Sequence, residues 1–530
     1  MRLISLYFPD RYNCLENLCI SFRHLKEEVS EELSPICLVG LNGSGKSNII
    51  EALSEIFCLV DLATKSYSPT SLVPTFSFIL HYSIRHKTQG KVQVKIEGTK
   101  GKAFQVFSLK DLAGSTTDVK WESVNLKHVK EILPDRVIGY SSGHNETISF
   151  SYLKAETYYS EAVRTKALKT NSNKNEDISI SSPSGLFIDY DFNALMLVAN
   201  SLFHANRLKD SLHYLRLAGL RSFRIRICFK LASNKYVERT KELDLIVEKL
   251  QACALLKQGD PDLNIGLVLD FYINESTCDR FREHFDSAIH LFESLHRLYL
   301  LNALKLPRPE KNYYKNDQRK GGLIPRPPVV PERERIFTTS AVQVKLQSNL
   351  SDTEPTVIDY AGISDGEHQF MLVFGSLALF DESETLFLLD EAESHFNPKW
   401  RSEFVKLATD LLTSRSDDSY NPELVISTHS PFLVSGCRAE NVFKFSRNEN
   451  TVHVNQPPEE TYGASFDYLL AMLFDMEALI ATKPAEELGE ILRSNSTEAL
   501  EKAKKTFGSS IEKAAIFVRL DEIENRNGET

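Results

Sequence analysis

Along the 530 residues the rhythm of apolar and polar positions changes several times, and each change predicts a different kind of element. Residues 1–8 and 36–40 are apolar runs of strand length, and the second passes through glycine-rich punctuation into a helical pattern over Asn48–Leu59. From Thr75 to Leu109, stretches such as Phe76-Ser-Phe-Ile-Leu-His-Tyr and Val92-Gln-Val-Lys-Ile alternate, which predicts antiparallel strands. Residues 168–185, rich in Ser and Asn, carry no period and predict a mobile loop. Leu195–Leu217 reads as helices. In Cys278–Leu304, Phe281, Phe285, Ala288, Phe292, Leu295 and Tyr299 recur at a spacing that puts them on one helical face. That face extends for only about three heptads, too few for a long coiled-coil arm.

Two segments carry an excess of positive charge, and each admits two readings. In Arg221–Lys230, Phe223, Ile225, Ile227 and Phe229 face one way, with Arg224, Arg226 and Lys230 on the other. The pattern predicts a strand whose basic face is either a solvated edge that resists aggregation or a nucleic-acid surface. Leu306–Arg335 contains six prolines, Gly321-Gly322 and Tyr313-Tyr314. It is either a solvated linker, or a strip on which Lys311, Lys315, Arg319 and Lys320 grip phosphates while the tyrosines stack bases.

Bulk properties narrow the class. With 42% hydrophobic and 25% charged residues the chain can build packed cores, and its length calls for more than one lobe. A net charge of −10 gives no chain-wide attraction to nucleic acid or anionic lipid, so any nucleic-acid contact must use a local patch. The eight cysteines are scattered without a C-x-x-C pair, which predicts buried thiols in a reducing compartment. No apolar run reaches the ~18 residues that span a bilayer, and the first residues lack a secretory pattern, so a cytoplasmic protein without a membrane segment is expected.

The candidate chemistry lies in four places. Gly40-Leu-Asn42-Gly43-Ser44-Gly45-Lys46-Ser47 fits G-x-x-x-x-G-K-[ST] between a strand and a helix. In such a loop, backbone N–H groups and the helix N-terminus at Asn48 point at phosphates. Lys46 neutralises the β and γ phosphates of ATP, and Ser47 ligates Mg²⁺. Glu384–Glu391 is an apolar strand ending in two carboxylates. Asp390 there is placed to hold Mg²⁺ and Glu391 to take the proton of the attacking water. Leu424–Pro431 is a third strand, with His429 at its tip to sense the γ-phosphate. Finally, Ile363-Ser364-Asp365-Gly366-Glu367 opens the helical run Phe370–Leu379 about two dozen residues before the acidic strand.

This order and spacing resembles the ABC ATPase family. Its signature loop, commonly Leu-Ser-Gly-Gly-Gln, offers a serine and a helix N-terminus to the γ-phosphate held by a second subunit. Here Asp365 replaces the first glycine and Glu367 the glutamine, which leaves Ser364 and the Gly366 amide as the phosphate-contacting candidates. One copy of each motif per chain implies a homodimer or higher homo-oligomer closed around sandwiched ATP. The resemblance implies an α/β fold: an ABC-type P-loop head of mixed sheet and flanking helices, with a mainly helical insertion and a helical C-terminal tail. The expected boundaries are an ATPase lobe at 1–150, the insertion at 186–305, a Pro-rich basic linker at 306–335, a second ATPase lobe at 336–455 and the tail at 456–530.

Ala392-Glu393-Ser394-His395-Phe396-Asn397-Pro398 is similar to the Glu-x-x-Leu-His-Pro turn of SMC-like ATPases, with Asn397 where that family has histidine. With Val137–Glu146 and Thr461–Asp467, the chain resembles the PtuA ATPases of Septu-type anti-phage systems, including retron-associated ones. By position, Asn145 corresponds to the family's Q-loop glutamine. The resemblance implies an ATP-hydrolysing sensor and scaffold without its own nuclease domain. Its implied partner is an HNH nuclease of the PtuB kind, joined in retron-associated versions by a reverse transcriptase and its RNA–DNA product. A low-turnover scaffold clamped by ATP, or a DNA-repair SMC-like ATPase, is the alternative.

Overall fold

The computed structural model describes the chain except residues 24–33, 70–71, 87–89, 111–120, 144–145, 171–179, 205–208, 232–235, 238, 317–329, 348–354, 381–383, 414–421, 450, 477–479, 495 and 529–530. Three sheets organise it. The largest runs in the spatial order Thr451–Asn455, Val442–Asn448, Ile36–Gly40, Glu423–Thr428, Thr385–Asp390, Arg136–Ser141 and Gly185–Phe187. All neighbours pair in parallel except the hairpin at the Thr451–Asn455 edge.

The middle strands of this sheet are buried along their whole length, which explains why their sequences are continuous apolar runs rather than alternating ones. Leu386 and Leu388 enter one core and Phe387 and Leu389 the other, as the two-residue period requires. On the first face the helix Lys46–Thr64 packs between this sheet and a six-stranded antiparallel sheet that includes Arg2–Phe8, Phe78–His86, Gly90–Gly98 and Gln105–Lys110. On the second face lie the helices Asp365–Leu379 and Pro398–Thr413. The architecture is the mixed-sheet α/β head that the motif order implies.

The region expected to be a mainly helical insertion has more residues in helices than in strands, and its strands build a sheet. It contains Leu217–Ile227, Leu256–Gly259 and Leu267–Tyr272, which join Phe337–Leu346 and Val357–Asp359 in a five-stranded antiparallel sheet. The last two strands lie beyond the Pro-rich stretch, so the expected boundary at 336 cuts this sheet. Leu217–Ile227 is flanked on both sides, by Leu267–Tyr272 and Phe337–Leu346, and is no edge. Its basic face is committed internally: Arg224 pairs with Asp270, and Arg226 donates to the carbonyls of Ile265 and Arg335.

The apolar series from Phe281 to Tyr299 is also divided. Ser287 accepts from the His290 N–H as the cap of a second helix, Ala288–Leu300, so the pattern spans two helices instead of one. The Pro-rich segment opens with a helix, Arg308–Asn316. There Lys311 is buried and donates to the Leu304 carbonyl, Lys315 pairs with Glu161, and Tyr314 is buried against Phe150. These groups are unavailable for a nucleic-acid strip, and Arg319 and Lys320 lie outside the described residues.

Residues 168–170, expected in a loop, end the helix Glu146–Thr170. The cysteines form no disulfide, yet Cys19 is exposed and Cys14 and Cys278 half-buried, against the expectation of uniformly buried thiols. Among the described residues no helix is long and apolar enough to cross a membrane.

Candidate nucleotide site

The strand Ile36–Gly40 delivers the glycine-rich loop to the end of the parallel sheet, where Thr385–Asp390 and Glu423–Thr428 also end. Ligands bind at this edge of open parallel sheets because the chain turns away and leaves backbone groups free. Two glycines are dictated by contact. A Cβ on Gly40 would lie 2.2 Å from the Phe445 carbonyl oxygen. Gly45 caps the helix at φ +104, where a side chain would press on Cys14 and Leu15 at 3.1 Å.

Lys46 is the centre of the arrangement. Its buried ammonium donates to the carbonyls of Gly40 (2.9 Å) and Leu41 (3.1 Å) and lies 2.9 Å from His429 Nε2. Burial pulls its pKa down to about 8, opposed by the charges of Glu391 and Asp390. His429 Nε2 also lies 3.2 Å from Glu391 Oε1. One ring nitrogen cannot both accept from Lys46 and donate to Glu391, so the two contacts compete for a single proton position. A hydrogen bond from His429, aided by the charges of His429 and Lys46, holds the Glu391 carboxyl below the usual range. Glu391 is therefore held in its ionised form.

Glu391 is also a non-glycine residue in the left-handed region, φ +50. Its N–H donates to the Ser427 carbonyl at 3.1 Å, a contact that fixes this unusual turn and aims the carboxylate out of the sheet. Asp390 Oδ1 accepts from Ser47 Oγ at 2.9 Å and from Ser427 Oγ, and Oδ2 accepts from Ser141 Oγ at 3.1 Å. A carboxylate and a hydroxyl side by side are the hard oxygen donors that Mg²⁺ takes, so Asp390 and Ser47 fit that ion. The loop fits phosphate as well: Ser44 Oγ is buried without a hydrogen-bond partner, inside the glycine-rich turn at the start of the helix.

Together these elements line an open cleft of about 340 Å³. Asn42, Gly43, Gly45, Lys46, Ser47, Asn48, Glu391 and His429 reach it. Gly40, Ser44 and Asp390 stand behind it and shape the loop and the carboxylate edge. Asn13, Cys14 and Arg447 also line it and belong to none of the motifs. Cys14 accepts from Asn48 Nδ2 at 3.2 Å, and Arg447 donates to the Gly43 carbonyl at 3.5 Å from the neighbouring strand. Neither had a local sequence signal; each is brought in by tertiary packing.

Ser364 and Gly366 are not among the residues lining this cleft. Ser364 caps the helix Asp365–Leu379 in a reciprocal box: its amide and hydroxyl donate to Glu367 Oε2 at 2.8 and 2.7 Å, and it accepts from the Glu367 N–H. Gly366 is pressed on the turn after the acidic strand, where a Cβ would meet the His395 carbonyl at 2.7 Å. Gln369 ties the same turn by accepting from the His395 N–H at 2.9 Å and donating to Ser394 at 3.3 Å, and Ser394 bonds Ser142. Asn145 lies outside the described residues.

A family model described as an AAA domain, and linked in that description with an AbiEii toxin of a type IV TA system, matches residues 272–435. The match takes in Ser364, Asp390, Glu391 and His429 and stops short of the glycine-rich loop. Over this stretch the chain is similar to an ATPase domain. Its curated relatives include "Retron Vc95 probable ATPase" of Vibrio cholerae serotype O1 biovar El Tor, 23% identical over 187 residues, covering 32% of this chain and 35% of the relative. Protein ea59 of Escherichia phage lambda is 30% identical over 94 residues, 18% of this chain and 17% of ea59. The matches thus span about a third or less of those proteins. Among solved structures, the recombination mediator protein RecF with ATPrS aligns over 85% of this chain and 97% of its own, at 11% identity and a TM-score of 0.32, too loose a likeness to argue from.

Proposed function

We propose that this chain binds and hydrolyses ATP between two copies of itself, and that the nucleotide state controls a separate nuclease in anti-phage defence. The observation that carries the ATPase part is the convergence of Lys46, Ser47, Glu391 and His429 on one cleft, with Asp390 bonded to Ser47 behind it. Lys46 exchanges its carbonyl and imidazole contacts for the β and γ phosphate oxygens. Ser47 and Asp390 would hold Mg²⁺, which would supply charge neutralisation on the phosphates. Glu391 accepts the proton of the attacking water, and His429, released by Lys46, orients its Nε2 toward Glu391 and the terminal phosphate.

Ser364 lies off its own cleft, which supports its use on a nucleotide bound by another copy. The relative associated with a retron supports the defence setting. The partner proposed is an HNH nuclease of the PtuB kind, accompanied in a retron setting by a reverse transcriptase with its RNA–DNA product. Co-purification of the chain with its genomic neighbours tests this: recovery of an ATP-dependent complex with a nuclease supports it, and an ATPase that neither binds nor restrains any neighbouring nuclease contradicts it.

A second reading has its own observation. Because Glu367 occupies both the amide and the hydroxyl of Ser364, closure could proceed without rapid turnover, leaving ATP as a structural clamp. Comparing Glu391→Gln with the unaltered protein separates the two: only the clamp retains full defence without phosphate release.

A further inference from the structure

Resting on the sandwich reading above, we infer that Arg447 of one copy takes the Glu367 carboxylate of the other copy, and that this ion pair releases Ser364 for the γ-phosphate. The geometry presents a conflict and its remedy. The surface meant to meet a triphosphate carries Asp365 and Glu367, and Ser364 Oγ is spent on its own Glu367 at 2.7 Å. Ser364 and Asp365 are exposed, so this negative surface faces outward. Two carboxylates against a triphosphate repel, and a serine donating to a carboxylate cannot also donate to phosphate.

The cleft carries the complement. Apart from the buried Lys46, the cleft lining among the described residues holds one guanidinium, that of Arg447. Arg447 is exposed and makes a single long hydrogen bond, 3.5 Å to Gly43 O, which a carboxylate easily replaces. It stands on the hairpin Val442–Asn448 with Thr451–Asn455, over the rim of the glycine-rich loop, where Val452 approaches Gly45. In a head-to-tail sandwich this rim is opposite the second copy's Ser364. A planar guanidinium binds a carboxylate in two-point fashion, so it can draw Glu367 off the serine while cancelling its charge beside ATP. The substitution of Glu for Gln at this position then acts as a lock that the second copy opens.

The test is a double-mutant cycle on ATP-dependent dimerisation, measured in the slow-hydrolysis Glu391→Gln background with ATP·Mg²⁺ by analytical ultracentrifugation. Glu367→Gln retains a capping side chain but needs no counter-charge. The expected result is that Arg447→Ala weakens dimerisation about tenfold when Glu367 is present and less than about twofold when Gln is present. An equal loss in both backgrounds overturns the pairing while leaving the sandwich intact. Absence of any ATP-dependent dimer in the Glu391→Gln protein overturns the sandwich reading itself, and the pairing with it. Thermal unfolding of the four proteins shows that each is folded, and ATP binding by the monomers separates a loss of nucleotide from a loss of the contact between copies.

Discussion

His429 Nε2 stands 2.9 Å from Lys46 Nζ and 3.2 Å from Glu391 Oε1, so a single nitrogen joins the cation of the glycine-rich loop to the carboxylate that follows the acidic strand. In the proposed reaction, Lys46 turning to phosphate frees the histidine to serve Glu391. His429→Ala should therefore leave ATP binding within a few-fold and lower kcat by about 10²-fold, the scale of a lost positioning group. Equilibrium binding of a fluorescent ATP analogue alongside steady-state phosphate release checks this.

Asp390→Asn should act differently. It leaves the hydroxyls of Ser47, Ser141 and Ser427 with an amide in place of a carboxylate. The Mg²⁺ concentration for half-maximal hydrolysis should rise by about tenfold or more, with the fold unchanged by circular dichroism. An unaltered Mg²⁺ titration would remove Asp390 from the metal's ligands.

Stability should fall as the solution becomes alkaline. Burial pushes Glu156 up to about 8, helped by the charge of Asp189, which is itself raised to about 7. The unfolded chain gives up these protons near pH 4 while the folded protein keeps them, so folding weakens as pH rises towards the folded values. His296, held down to about 3 by burial, gives the opposite slope, but only below its ordinary 6.5. Between pH 6.5 and 8 these carboxyls, joined by Glu393, which burial pushes up to about 7, weaken folding as pH rises, while the Met1 amine, lowered by burial, opposes them, and Glu156→Gln should flatten that limb. Urea unfolding at pH 6.5 and 8 measures the slope.

Gly366→Ala should uncouple the turn after the acidic strand from the helix that Ser364 caps. The added methyl has no room beside the His395 carbonyl, 2.7 Å away. A strain of about 1–3 kcal/mol is expected, with hydrolysis falling more than monomer ATP binding. Hydrogen exchange at His395, whose N–H is held by Gln369, should accelerate.

The head was largely legible because its strands are buried on both faces. Such strands must be apolar along their middle, as Leu386–Leu389 and Leu424–Ile426 are, and each ends where polar chemistry begins. The antiparallel sheet of the insertion was mostly hidden. Leu256–Gly259 is too short and too exposed to show a period, and Phe337–Leu346 lies more than a hundred residues from its partner Leu217–Ile227. A two-helix series broken only at Phe285-Asp286-Ser287 looks continuous to a helical period. Within the site, residues fixed by local loop chemistry could be read directly, whereas Asn13, Cys14 and Arg447 depend on which loop and hairpin pack over the glycines. Ser364 was legible as a serine at the start of a helix; that it caps that helix and that its hydroxyl is taken by Glu367 required coordinates.

The central claim is that Glu391 takes the proton from a water that attacks ATP while Lys46 holds the phosphates. Single-turnover phosphate release by Glu391→Gln, with ATP binding measured on the same preparation, tests it most directly. The account predicts ATP bound as tightly as by the unaltered protein and a chemical step slowed by at least about 10²-fold. Phosphate release at an undiminished rate, with the nucleotide still bound, would contradict it.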